Sequence, residues 1–417
     1  MRIIELTIND FENFANNHPL RNYCQSVSYA KLMGEKGYSY DYIGYMDDSN
    51  NLVGASLILT KKIGPFQKYA YAPKGFLIDY YNNELLKMFV RDIGAHYKKK
   101  GYIFIKINPE IIIGELNPKK NYLPNYNQNV NIIDTLKDLG FRRRRELTPL
   151  DFIMPRINPY VNLKNYDPNS MDDEYKEKIK NCNKRGLTIE TATNKDINTF
   201  YEVIKNDTYE DVNYFRNILN TFNNDAELTL IKVDYEQCLI NAQKQYEKEV
   251  DENNYWNEMI QRENNEKLLA EKMESDKRLL IFKDEMIAAT DRLRREKFKY
   301  VGGAIVIKYQ NRASIVACGF DKSDEFLTPG YFLYSALIEK YKNDFEYLDL
   351  YGLASNFSPS SKYFEFNEEK LAFNPTIYEY IGEFDLVLNE GNFKKVQSKG
   401  LLSKEFHPSH KFTEEQN

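Results

Sequence analysis

The chain has 417 residues, with 57 Lys+Arg against 62 Asp+Glu and a formal net charge of −5. That length exceeds one ordinary domain and points to two or three. The charge excludes a protein basic over its whole surface, such as a simple nucleic-acid coat, but not a local basic patch. Aromatic usage is uneven, with 33 Tyr and 25 Phe but a single Trp. Two readings stand for it: a coding bias that also enriches Asn, Lys and Ile, or a groove lined with phenols.

The first residues, MRIIELTINDF, carry acids and no apolar core, so no signal peptide is expected. No apolar run reaches the ~18 residues of a membrane-spanning helix. Cys24, Cys182, Cys238 and Cys318 are widely spaced, as are His18, His96, His407 and His410. They form no metal-ligand spacing, so no metal site is expected, and the cysteines suit a reducing compartment. The expectation is a cytoplasmic protein.

In chain order, 53–59 and 68–72 read as strands, Asn83–Lys98 as a helix with Leu85, Leu86, Phe89, Ile93 and Tyr97 on one face, and 102–107 as a strand. Between Gly186 and Gly302 there is neither Gly nor Pro, and residues 235–300 hold 15 acids and 13 bases. Leu239, Ala242, Tyr246, Val250, Trp256 and Ile260, then Leu279, Phe282, Met286, Ala289 and Leu293, follow a helical seam. Ser275 or Asp276 is placed at the break as an N-cap, so 236–298 reads as an antiparallel coiled-coil arm. Glu258/Arg262, Glu263/Lys267, Glu274/Arg278 and Asp291/Arg295 are spaced for i,i+4 pairing.

After the arm the earlier order returns: strands at 301–307 and 313–318, a helix at Pro329–Tyr341, a strand at 347–350. Strand, strand, helix, strand occurs twice, which predicts an α/β protein built from one unit duplicated. The order fits an N-acetyltransferase-like unit. No Gly-rich turn of the kind that cradles the coenzyme A pyrophosphate precedes Asn83 or Pro329. An acyl donor other than CoA is therefore expected. The predicted organisation is residues 1–152 plus about 384–417 in a first unit, 153–235 with 299–383 in a second, and the arm at 236–298.

Four stretches stand out: Gln25-Ser26 with Tyr29-Ala30, Tyr71-Ala72-Pro73-Lys74-Gly75 with Asp79-Tyr80, Lys106-Ile107-Asn108-Pro109-Glu110, and Tyr380-Ile381-Gly382-Glu383-Phe384-Asp385-Leu386. In that order they resemble motifs of the Fem family of peptidoglycan aminoacyltransferases. The resemblance covers nearly the whole chain. It implies tandem N-acetyltransferase-like (GNAT) subdomains. It also implies transfer of an amino acid from aminoacyl-tRNA to a stem-peptide amine of a lipid-linked or UDP-linked muropeptide precursor. No CoA or other cofactor and no metal is implied. A peripheral contact with the inner membrane face and pairing with a second copy or a paralogue are compatible with it.

The resemblance assigns candidate residues. Lys370, matching a family lysine ahead of Phe373, is the candidate for stabilising the oxyanion or the tRNA terminus. Asn108 stands where the family has an aspartate; an amide cannot be a general base, so it is left to orient the amine. Glu383 is the alternative proton acceptor or orienting group. Tyr71, Lys74 and Phe373 are expected to line the substrate groove, with Lys31 and Lys36 near the place of a phosphate-holding lysine, which is Met33 here. The family's second phosphate-holding residue, an arginine ahead of a Tyr-Phe pair, is missing: Glu210 precedes Tyr214-Phe215, and Arg216 follows them. Asn374 replaces a glycine.

Two basic clusters are candidates for tRNA: the run Arg142 to Arg145, of which Arg142 and Arg144 share a strand face, and Arg292, Arg295 and Lys299, placed on one helical face at the base of the arm. A solvated charged face is the competing reading of both. Two rivals accompany the main functional expectation. One is a catalytically degenerate scaffold that recruits an active paralogue, favoured by Asn108 and opposed by Lys370. The other is an acyl-CoA N-acyltransferase, disfavoured by the missing Gly-rich loop.

Overall fold

A computed structural model describes residues 1–144, 154–263 and 265–406. Arg145, His407 and His410 lie outside the described residues.

Among the described residues, sixteen strands form two eight-stranded sheets. The first runs β1 (Arg2–Glu5), β2 (Ser39–Met46), β3 (Leu52–Lys62), β4 (Lys68–Ala72), β6 (Phe104–Ile107), β16 (Phe384–Val387), β8 (Phe141–Arg143), with β5 (Leu77–Ile78) against β3. The second runs β10 (Leu187–Ala192), β11 (Ala226–Asp234), β12 (Phe298–Tyr309), β13 (Arg312–Phe320), β14 (Tyr347–Asp349), β9 (Ile157–Asn162), β15 (Thr376–Tyr380), β7 (Ile112–Leu116).

The duplicated unit is plain in the pairing. β3 and β4 are antiparallel, the helix Asn83–Lys99 follows, and β6 returns parallel to β4. β12 and β13 are antiparallel, the helix Pro329–Tyr341 follows, and β14 returns parallel to β13. A parallel return needs a crossover, and the helix supplies it. Each crossover helix is fixed by local chemistry. The Asn82 side chain accepts from Leu85 N to start the first, and Pro329 opens the second at N1. Leu86, Phe89 and Ile93 are fully buried on one, as are Leu333 and Leu337 on the other. These are two N-acetyltransferase-like units in tandem.

Each sheet takes in a strand from a distant stretch of sequence. β16 enters the first sheet between β6 and β8. β7 pairs with β15 in the second sheet, although it falls within 1–152, the segment expected to belong to the first unit. The chain crosses to the second sheet directly after β6, in the Pro109–Ile111 loop, and this brings that loop against the second sheet.

The arm consists of two helices, Tyr235–Arg262 and Glu266–Arg295. The break expected at Ser275-Asp276 instead falls between Arg262 and Glu266, and Asn265 caps the second helix by accepting from Leu268 N. Ser275 lies inside that helix and is fully buried. A polar stretch was legible as a break because serine and aspartate favour caps, yet here they serve the seam. Glu249 accepts from Arg278 Nε and Nη2, both at 3.0 Å, and from Ser275 Oγ at 2.7 Å. Asn253 Nδ2 donates to Ser275 Oγ at 3.0 Å and to Asp276 Oδ1 at 2.9 Å. Of the spaced pairs, Glu258–Arg262 closes at 3.6 Å, while Arg278 reaches across the arm to Glu249 and Asp291 pairs with Arg294 at 3.3 Å.

Candidate functional site

The motif residues converge where the two sheets meet. Ser26 caps the helix Val27–Glu35 by accepting from Tyr29 N. Beside it, the buried Gln25 side chain accepts from Leu57 N at 2.8 Å and donates to Pro73 O at 2.7 Å. This pins the turn after β4. Gly75 is required there, because a Cβ would stand 2.9 Å from both Gln25 Nε2 and Ser56 Oγ. Lys74 adopts a left-handed backbone with φ of 52°. Asn108, just past β6, holds it: its Oδ1 accepts from Lys74 N at 2.9 Å and from Tyr71 OH at 3.2 Å. Asn108 Oδ1 is thus committed as an acceptor to the turn and to Tyr71.

Lys74 Nζ projects toward Glu110 Oε1 at 4.0 Å and lies 4.8 Å above the Tyr380 ring. Glu110, carried by the loop that leaves β6, meets Arg312 of β13. Arg312 Nη1 donates to Oε1 at 3.0 Å and to Oε2 at 3.2 Å. Asn22 Nδ2 donates to Glu110 Oε2 at 3.1 Å, and Tyr160 OH, itself receiving from Tyr380 OH at 2.8 Å, completes the cluster. Burial alone would raise the Glu110 carboxyl, but Arg312, Lys74 and Asn22 together hold it below the usual carboxylate range. Asp349, at the end of β14, is buried nearby. Burial pushes its carboxyl up, against the pull of Arg312 and the hydrogen bond from Tyr351 N at 2.9 Å.

Lys370 closes the other side of the Asp349 loop. It lies in the last turn of the helix Phe364–Leu371 and is 1 % exposed. Its Nζ donates to Tyr351 O at 2.8 Å and Gly352 O at 2.7 Å, and stands 3.9 Å from the Phe366 ring centroid. Gly352 brings its carbonyl there only as glycine, since a Cβ would fall 2.3 Å from Pro155 Cβ. Desolvation by burial pulls the Lys370 ammonium down, to about 8. An ammonium has three donors, and two carbonyls use two of them.

Glu383 is equally buried and belongs to a second cluster on the first sheet. Lys106 of β6 lies directly across from Asp385 of β16 and pairs with it at 2.8 Å and with Glu383 at 3.4 Å. Burial works against the Lys106 charge, but Asp385 and Glu383 outweigh it and keep it ionised. Tyr71 borders both clusters; burial, then Glu383, pushes its phenol far up.

The remaining expected residues scatter. Phe373 is fully buried in the second core, edge-on to Tyr334 at 6.0 Å between centroids. Asn374 has φ of 48°, the conformation a glycine would take there. Lys31 is exposed. Lys36 is ion-paired to Glu210 at 2.5 Å and lies 4.5 Å over the Tyr214 ring, so the residue in the arginine's place neutralises the neighbouring lysine. Arg216 bonds to Asn213 and Asn198. Arg142 pairs with Glu390 at 2.6 Å, and Arg144 N donates to Glu383 O at 2.9 Å.

One placement needs correction. Arg292, Arg295 and Lys299 do not share a helical face, because the arm helix ends at Arg295 and Glu296 is extended. Lys299 is on β12, opposite Val233, and pairs with Asp321 at 2.9 Å.

Sequence reasoning missed Arg312, Asp349 and Tyr160, and gave no role to Glu110 or Tyr380. The last two stood inside quoted motifs and carried a signal. Arg312 and Asp349 carried none, because lone polar residues at strand ends look like surface positions, and Tyr160 was one tyrosine among 33. Among the described residues no group of three His, Cys, Asp or Glu is placed to hold a metal ion.

Residues 6–398 match the FemAB family model. The chain is 24% identical over 425 residues to the lipid II:glycine glycyltransferases of Staphylococcus aureus strains MW2 and COL, covering 97% of each chain. A crystal structure of FemX superposes with a TM-score of 0.70 at 20% identity, over 95% of this chain and 100% of that one. That likeness concerns the fold, and the fold is the tandem arrangement described above.

Proposed function

We propose, from the premise that this chain belongs to the FemAB family, that it is an aminoacyltransferase. In this reading it moves an amino acid from aminoacyl-tRNA to an amine on the stem peptide of a peptidoglycan precursor, building an interpeptide bridge. The similarity over 97% of both chains to enzymes named lipid II:glycine glycyltransferases supports the acceptor class and the reaction type. The observation that carries the reading is Lys370, a buried ammonium held by two carbonyls of the loop that follows the buried carboxylate Asp349.

The chemistry needs these groups. An aminoacyl ester is already activated, so the acceptor amine must only be neutral when it attacks. The tetrahedral intermediate then places negative charge on one oxygen. The third N–H of Lys370 is the donor for that oxygen. Asn108 cannot take the amine's proton and instead fixes Tyr71 and Lys74. Asp349, whose carboxyl is raised by burial, is the proton acceptor. Glu383, locked beside Lys106, orients the Tyr71 side of the site. Among the described residues no helix is long and apolar enough to cross a membrane. A lipid-linked precursor would be met peripherally, at the cytoplasmic face.

A second reading, the non-catalytic scaffold, is favoured by two observations. Asn108 replaces a carboxylate, and Glu210 neutralises Lys36 where a precursor phosphate would be held. One experiment separates the two. Purified protein is mixed with a pool of charged tRNAs and a lipid-linked muropeptide, with and without ribonuclease, and the muropeptide is weighed. An RNase-sensitive gain of one amino acid is expected. No gain with any charged tRNA leaves the scaffold.

A further inference from the structure

One cluster of polar side chains is left over by that chemistry, and it lies under the last described helix, Leu401–Phe406. Side chains alternate faces along a strand. Tyr69 and Tyr71 of β4 therefore share a face with Phe104 and Lys106 of β6, and the helix lies over that face. Phe406 packs edge-on to Tyr69 at 4.9 Å, to Phe104 at 6.1 Å and to Tyr71 at 6.3 Å, with Lys106 Nζ 4.9 Å from its ring. Beside it, one oxygen of Glu405 collects three donors. Tyr69 OH donates at 2.7 Å, Lys61 Nζ at 2.9 Å and Tyr38 OH at 3.1 Å. Tyr69 is fully buried. Two phenols and an ammonium converging on one oxygen make a carboxylate receptor, here filled by the chain's own glutamate.

The occupant, residues 401–406, has few apolar anchors. It is joined through Gly400, whose φ is 66° and whose Cβ position faces open space. Only Leu402 and Phe406 are buried on it. Such a segment belongs to the part of a fold that opens first. Tyr71, at the floor of the covered face, donates to Asn108, so the receptor is one side chain from the proposed reaction site.

We propose that Lys61, Tyr38 and Tyr69 form a binding site for the free carboxylate of a peptide, and that Glu405 and Phe406 occupy it in the resting protein as a self-ligand which the acceptor peptide displaces. The proposal rests on the reading of the acceptor as a stem peptide, because such a peptide ends in a carboxylate.

The test is binding, so it does not depend on turnover. An N-acetylated lysyl-alanyl-alanine with a free carboxylate is titrated into the full-length protein by calorimetry, beside the same peptide as its C-terminal amide. The carboxylate form is expected to bind about tenfold tighter than the amide. Glu405→Gln is expected to tighten the carboxylate form about fivefold and leave the amide unchanged, because a neutral amide competes poorly for the three donors. Lys61→Met and Tyr69→Phe are expected to erase the difference between the two peptides. Amide exchange at 401–406 should quicken when the carboxylate peptide binds. Equal binding of the two peptides to the unaltered protein, or weaker carboxylate binding by Glu405→Gln, overturns the proposal. Carboxylate preference without any RNase-sensitive transfer would keep the pocket and remove the transferase reading; transfer without carboxylate preference would do the reverse.

Discussion

Arg312 of β13 grips both oxygens of Glu110, at 3.0 and 3.2 Å, across the junction of the two sheets. The Glu110 side chain is nearly buried and that of Arg312 half-buried, with Asn22 and Tyr160 satisfying what remains of the carboxylate. A buried ion pair adds little over a well-packed apolar replacement, but losing one partner strands the other charge. Glu110→Gln and Arg312→Met should each cost about 3–5 kcal/mol in urea unfolding. The double variant should cost clearly less than the sum of the two. Additive losses would mean that the pair is not coupled.

Lys370 gives a pH signature. If its ammonium stabilises the oxyanion, kcat falls as pH rises through about 8, where that ammonium loses its proton. Lys370→Met should lower kcat about 10²–10³-fold and remove the alkaline fall. The sign for stability is opposite to that of an ordinary salt-bridged lysine. Burial lowers the folded-state value from 10.5 to about 8. Between those pH values the unfolded chain holds the proton more tightly, so stability gains with rising pH. Unfolding free energy across pH 8 to 10.5 should rise for the unaltered protein and stay flat, in comparison, for Lys370→Met.

The choice between the two buried carboxylates is testable as a pair. Asp349 is tied to Lys370 through the 349–352 loop, and Glu383 is tied to Lys106. Asp349→Asn should lower kcat by about 10²–10⁴-fold, the range for a lost general base. Glu383→Gln should act mainly on KM, because it orients rather than accepts. The reverse pattern would make Glu383 the proton acceptor.

Most of the fold was legible because it rests on periodicity. The helices at 83–99 and 329–341, and the strands beside them, bury faces that repeat at intervals of two or four residues. The two arm helices were visible for the same reason. Their turn was not, because Ser275 and Asp276 look like a break and instead form buried contacts across the seam. β7 could not be placed either, since strand pairing between distant segments leaves no local trace. Of the site, Lys370, Glu383, Asn108, Tyr71 and Lys74 came from motif resemblance. Arg312 and Asp349 are brought to it only by the crossing of β7 and β16 between the sheets, which no single stretch of sequence encodes.

The arm's polar layer sets its register. Glu249 is buried with a two-pronged bond from Arg278, and Asn253 is buried against Ser275. A buried polar layer in a coiled coil costs stability and excludes slipped pairings. Glu249→Ala should cost the arm about 1.5–3 kcal/mol, the worth of hydrogen bonds to a charged group. Amide exchange across 235–295 should accelerate while that of β12 and β13 stays unchanged. Acceleration in the sheets as well would mean that the arm and the second unit unfold together.

The tRNA assignment is narrowed by the strand placement of Lys299. That lysine is neutralised by Asp321 at 2.9 Å and has left the helix. Arg295 is exposed in the last turn of the arm, and Arg292 is half-buried one turn earlier. Each phosphate contact adds about one to the slope of log K against log salt. Arg292→Glu with Arg295→Glu should weaken tRNA binding and flatten that slope by about two. Lys299→Glu alone should leave the slope unchanged, because its charge is already paired. An unchanged slope in the double variant would move the tRNA contact away from the arm, to the Arg142 and Arg144 edge of the first sheet. A loss in Lys299→Glu equal to that of the arginines would return β12 to the binding surface.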